Sequence, residues 1–183
     1  PSGISGGAMT LLATQTASGS ANLSFTSGID DTYDSYVFKY YDIHPATDNA
    51  DFEFNMTIDG TNWNVTKTTT TFYSYHMEDN SGAGLTYEAA YDLAQGTGFQ
   101  YLAADIGNGN DESASGELSI YSPSSTTFVK HFLHSGNRYV GSNISANDFV
   151  AGYGNITSAV TGIQFKMSSG NIDSGVIKLY GVS

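Results

Sequence analysis

Asp51-Phe-Glu-Phe-Asn-Met-Thr-Ile58 decides the fold of this 183-residue chain. Phe52, Phe54, Met56 and Ile58 fall on one side of an extended backbone and Asp51, Glu53, Asn55 and Thr57 on the other, because successive side chains of a strand point to opposite faces. Such alternation writes a half-buried strand. It recurs at Tyr36, Phe38 and Tyr40, around Phe128 and Phe132, at Ile163, Phe165 and Met167, and at Ile177 and Leu179. No long stretch carries the 3.6-residue period of a helix.

Working outward, turn chemistry separates the alternating runs. Strands are expected at Met9–Ala17, Asn22–Thr26, Ser35–Ile43, Asp51–Ile58, Asn62–Val65, Thr70–His76, Phe99–Ala104, Gly116–Tyr121, Thr127–Ser135, Ala146–Thr157, Thr161–Ser168 and Gly175–Gly181. Asp59-Gly60 reads as a tight hairpin between the fourth and fifth of these. The polar stretch Glu78–Gly98 reads as a long loop, with Leu85–Leu93 open between a strand and a helical turn. Roughly ten short antiparallel strands predict an all-β, jelly-roll-like β-sandwich. Pairing the first strand with the last protects an edge and brings the ends of the domain together. Residues 1–8 form a Gly/Ser arm, and residues 9–183 a single sandwich domain.

Charge narrows the partners. Six basic residues against 18 acidic ones give a net charge of −12, and the few cations are scattered, which excludes a nucleic-acid backbone as partner. Cysteine is absent, so no disulfide, thiolate metal site or cysteine nucleophile exists. Pro1–Gly7 has neither the basic nor the apolar region of a secretory signal, and no run approaches the roughly 18 apolar residues of a membrane span. No membrane partner is expected.

Candidate chemistry is sparse. Gly3-Ile-Ser-Gly-Gly7 matches the G-x-S-x-G elbow, whose serine needs a preceding strand and a following helix. Neither flanks Ser5. His131 and His134, three apart on one strand, point to opposite faces, and His44 and His76 read as solvated or hydrogen-bonded histidines. Asp48, Asp51 and Glu53, and separately Asp111 and Glu112 beside Asn108-Gly-Asn110, offer oxygen ligands of the kind calcium takes. Neither set matches a calcium-loop pattern, and the expectation is no metal, no cofactor and no enzyme activity. Five N-x-[ST] sequons, at Asn22, Asn55, Asn64, Asn143 and Asn155, follow from composition alone. Thirteen Tyr, ten Phe and one Trp leave three uses open: core with tyrosine rims, subunit contact, or stacking on sugar rings.

Longer phrases carry a resemblance. Leu12–Ser18 (LATQTAS), Phe25–Asp30 (FTSGID), Tyr33–Phe38 (YDSYVF), Asp42–Asp48 (DIHPATD), Ser122–Phe132 (SPSSTTFVKHF), Ile163–Asp173 (IQFKMSSGNID) and Ile177–Gly181 (IKLYG) resemble small structural proteins of marine tailed bacteriophages. The similarity spans nearly the whole chain and brings no active-site residues with it. It implies a virion component on the exterior of the particle. Together with the acidic, cysteine-free sandwich it predicts a capsid decoration protein, a homotrimer that binds the major capsid shell. Pro1, Ser2, Gly3, Ile4, Ser5 and Met9 would contact the shell or a neighbouring copy. The alternative is a receptor-binding or tail-fibre tip domain, with tail proteins as partners and host polysaccharide held by Tyr73, Tyr75 and Tyr87.

Overall fold

A computed structural model describes residues 9–183, and the arm expected at residues 1–8 lies outside them. The alternating runs become thirteen antiparallel strands: β1 (Thr10–Ser20), β2 (Leu23–Phe25), β3 (Ser35–Pro45), β4 (Ala50–Thr57), β5 (Lys67–Met77), β6 (Ala83–Tyr87), β7 (Ala94–Gly96), β8 (Gln100–Ile106), β9 (Ala114–Tyr121), β10 (Lys130–Val140), β11 (Ile144–Gly154), β12 (Gly162–Met167) and β13 (Ile172–Val182). Among the described residues the helical structure is a single 3-10 turn, Ala89–Tyr91.

The strands form two layers. The larger runs β1-β13-β3-β9-β10-β11-β5, with β6 and β7 beyond β5; the smaller runs β8-β4-β12-β2. One bridge, Val140 to Ile106, joins them. The expected pairing of first and last strands is present, from Thr10 opposite Gly181 to Ser20 opposite Ile172.

Aromatic side chains hold the layers together. Phe38 of β3 packs on Phe25 of β2 and Phe165 of β12 at ring separations of 5.3 and 5.4 Å. Tyr40 of β3 meets Phe52 of β4 at 5.1 Å, and Phe54 of β4 meets Phe132 of β10 at 5.1 Å. Such pairs contribute about 0.5–1.5 kcal/mol each beyond the area they bury. Tyr36, Phe38 and Tyr40 all face this core, while Tyr41, one residue on, is exposed. A bulge after Tyr40, with Asp42 at φ 50°, resets the alternation so that Ile43 points inward again.

Four local expectations are corrected. Asn62–Val65 is not a strand, and Asp59-Gly60 does not make a hairpin. The Asp59 carboxylate instead accepts bonds from the backbone N–H of Thr61 and Asn62 and from the side chains of Thr57 and Asn62, winding the chain into a side-chain-built loop. Leaving that loop, the chain crosses to the large layer, where β5 pairs with β11 rather than with β4. The strand expected from Thr127 begins at Lys130, because the buried Lys130 ammonium gathers the carbonyls of Ser125 and Phe128 at 2.6 Å each and holds the preceding residues in a loop with Phe128 outside. Ile58 is exposed, whereas Asn55 and Thr57, on the polar side of the opening motif, are fully buried.

Asn55 is buried for a reason. Its Nδ2 donates toward the carbonyls of Trp63, Thr97 and Gly98 at 2.7, 3.0 and 3.2 Å, and its Oδ1 accepts from Met56 N–H and from the Lys67 amine at 2.9 and 2.5 Å. One amide thereby satisfies two irregular segments that lack ladder partners. Lys67 is itself fully buried, and its second bond goes to the Val65 carbonyl at 2.7 Å. Burial pushes its amine down to about 7 from the ordinary 10.5. Between those values the unfolded chain holds a proton that the folded chain has released, so raising pH from about 7 toward 10.5 favours the fold, and the gain is absent below 7. Stability in urea is expected to rise across that window by at most about 5 kcal/mol. The rise should vanish in Lys67→Met; an equal rise in that variant would locate its source elsewhere.

Candidate functional site

The outer face of the large layer, away from the core, carries exposed apolar side chains from several strands. Antiparallel partners share a face, so the registers define its rows. Ser119, Leu133, Ala151 and Thr70 stand side by side across β9, β10, β11 and β5. The next row is Glu117, Ser135, Phe149, Phe72 and Tyr87, and the row on the other side holds His131, Tyr153 and Thr68. Phe72 stacks on Phe149 with ring centres 4.9 Å apart. Leu133, Phe72 and Tyr87 remain 52, 41 and 61% exposed, unusual values for side chains of this kind.

Two adjoining shallow depressions, of about 350 and 420 Å³, lie on this face with Tyr121, Leu133, Thr70 and Ala151 common to their walls. Their ionisable side chains do not converge. Glu117 pairs with Lys39 at 3.2 Å, and His131 lies against the Tyr153 ring at 6.1 Å. This surface can bind an apolar or aromatic partner; it presents no assembled nucleophile and base.

Beneath it, between the inner side of these strands and β8, lies a buried polar cluster. Asp148 of β11 accepts from Arg138 Nε at 2.8 Å and from the Tyr101 hydroxyl at 2.6 Å, and all three are buried. The Arg138 guanidinium also lies 5.5 Å from the Tyr73 ring centre. Burial pushes the Asp148 carboxyl up, opposed by Arg138 and Tyr101. Nearby, His134 bonds the Tyr40 hydroxyl through Nε2 at 2.8 Å, and burial pushes its imidazole down to about 3. The Arg138, Asp148, Tyr101, Tyr40 and His134 side chains are packed into the core, and of these residues His134 also contributes to the wall of the first depression.

The sequence candidates scatter. Pro1, Ser2, Gly3, Ile4 and Ser5 lie outside the described residues; Met9 is exposed just before β1. Tyr73 and Tyr75 lie together on the inner side of β5, rings 6.1 Å apart, whereas Tyr87 stands opposite Phe72 on the outer face. The three do not form one sugar platform. His131 and His134 point to opposite faces, one exposed and one buried. His44 lies between the Gly109 carbonyl at 3.1 Å and Asp173 at 3.5 Å, with no serine hydroxyl as partner. Asp48 accepts from Asn49 and from Asn108 N–H, Asp51 from Asp105 N–H, and Glu53 faces Lys166 at 3.6 Å. Glu112 accepts from Gly109 N–H at 2.5 Å. No group of three or more His, Cys, Asp or Glu among the described residues is placed to hold a metal ion.

Phe72, Leu133, Phe149 and Tyr153 did not emerge from the sequence reading. A signal for two of them is present: Phe132-Leu133 and Phe149-Val150 put two large apolar residues in succession on a strand, so one of each pair must face outward.

No protein-family model, curated protein or solved structure matches this chain.

Proposed function

We propose that this chain is a non-enzymatic structural protein of a tailed-bacteriophage virion, a capsid decoration protein that self-associates and seats on the major capsid shell at the outside of the particle. The observation that carries this reading is the outer face of the large layer. A rigid hydrogen-bonded sheet presents Leu133, Phe149, Phe72 and Tyr87 as one apolar band, too open to enclose a small substrate and suited to the flat surface of another protein. The phrase-level resemblance to phage structural proteins supports the setting.

Quantitative protein analysis of purified particles tests it. The expected result is a copy number in proportion to the major capsid protein, with the chain remaining on tailless heads. A handful of copies per particle, or recovery with tails alone, overturns the placement. In a head-binding assay, Leu133→Glu, at an exposed position, should weaken association by at least about tenfold while leaving the melting temperature unchanged, since a charge is then buried in an apolar contact.

A tail-fibre tip that reads host polysaccharide is the second reading, favoured by the exposed Tyr87 ring and by the His131–Tyr153 pair on the same face. Saturable binding of the isolated chain on a glycan array would select it.

A further inference from the structure

We infer that β1 is a self-pairing edge, at which two copies of this chain join their large layers into one continuous sheet across a two-fold axis. Among the described residues β1 is an eleven-residue strand paired on one side only, to β13. An unpaired row of N–H and C=O groups is a template for another strand, and proteins that must stay apart blunt such edges with charge, proline, bulges or short length.

The other edges are protected and this one largely is not. β6 has five residues and lies between Glu78-Asp79 on one side and Glu88 on the other, β2 has three, and β8 is bridged to β10. β1, by contrast, reads TLLATQTASGS, with no charge and no proline. Its register shifts between Leu11 and Ala13 and Gly19 takes a left-handed φ of 62°, and between them, from Ala13 to Ser18, the register is unbroken. Gln15, on the inner side, donates to the Ser24 carbonyl at 2.6 Å and ties β1 down to β2. Thr14, Thr16 and Ser18 are exposed on the outer side.

Charge selects the occupant. At −12, two copies repel wherever carboxylates meet, and β1 is an eleven-residue strand free of them. A partner of opposite charge would find nothing there to read. A second copy matches in length and neutrality, and an antiparallel strand is complementary to itself under a two-fold. Outward β-branched hydroxyls such as Thr14 and Thr16 then face their counterparts, a favourable cross-strand combination. Leu11, 52% exposed, with Met9 before it, adds apolar surface at one end of the seam.

This gives the self-association in the capsid reading a two-fold seam in place of the homotrimer expected from the sequence, and rests on that reading for its setting. Light scattering on the full chain over a concentration series should give a mass of twice 19.4 kDa. Thr16→Lys/Ser18→Lys puts four like charges at the seam and should raise the dissociation constant at least about tenfold, with the strand content by circular dichroism unchanged. A monomer at high micromolar concentration, a trimer, or a dimer indifferent to the lysines overturns the pairing. Particle copy number separates the two ideas: a monomer that coats heads sinks the edge alone, and a β1-dependent dimer missing from heads sinks the placement alone.

Discussion

Arg138→Met is expected to remove about 3–5 kcal/mol of unfolding free energy, the usual cost of stranding one member of a buried ion pair. The reason is the surroundings of Asp148. Its carboxylate is fully buried, with one oxygen on Arg138 Nε at 2.8 Å and the other on the Tyr101 hydroxyl at 2.6 Å. Without the guanidinium the carboxyl must take up a proton or remain charged where water does not reach, and both are unfavourable. The same deletion removes the cation over the Tyr73 ring. The converse variant sharpens the test. Arg138→Met/Asp148→Leu/Tyr101→Phe leaves no stranded group and should recover most of the loss, because an ion pair replaced whole by apolar side chains of similar size is often neutral. Urea unfolding of the two variants decides. A triple variant as unstable as Arg138→Met would mean that packing, rather than uncompensated charge, sets the cost.

Gly136→Ala is expected to destabilise by about 1–3 kcal/mol through overpacking, with a further loss if the buried bond beside it breaks. Gly116 and Gly136 stand opposite each other on β9 and β10, and the Tyr40 ring from β3 lies across the gap they leave, its hydroxyl on His134 Nε2. A methyl group at residue 136 would sit inside the space of that hydroxyl and 3.0 Å from His134 Nε2. Tyr40→Phe removes the obstructing oxygen, so Gly136→Ala in a Tyr40→Phe background should cost clearly less than in the parent. Additive losses in that double-mutant cycle would show that the backbone, not the hydroxyl, rejects the methyl.

Both predictions depend on facing, and facing was largely legible. Once Phe132 is placed inward, period two carries His134, Gly136 and Arg138 inward with it, and β10 follows that rule. The regular strands and the union of β1 with β13 were readable for the same reason. What period two does not show is a side chain acting across the fold. Asn55 reads as the solvent side of a strand, yet it is buried because Trp63, Thr97 and Gly98 bring it carbonyls from elsewhere. Lys67 is enclosed with it, its amine bonded to Asn55 Oδ1 and to the Val65 carbonyl. The outer apolar band was missed because Phe72, Phe149 and Leu133 come from three strands, and only the register makes them neighbours. Tyr73, Tyr75 and Tyr87 were grouped by closeness in sequence, and β5 and β6 divide them between opposite sides.

Seating β13 between β1 and β3 also orders events during synthesis. β1 leaves the ribosome before its neighbour, which is not made until more than a hundred residues later, a wait on the order of ten seconds at ordinary elongation rates. Throughout that interval both sides of β1 are open, and β3 lacks one of its two neighbours. A truncation before Ile172 leaves β1 and β3 without the neighbour they share and should drive the product into aggregates.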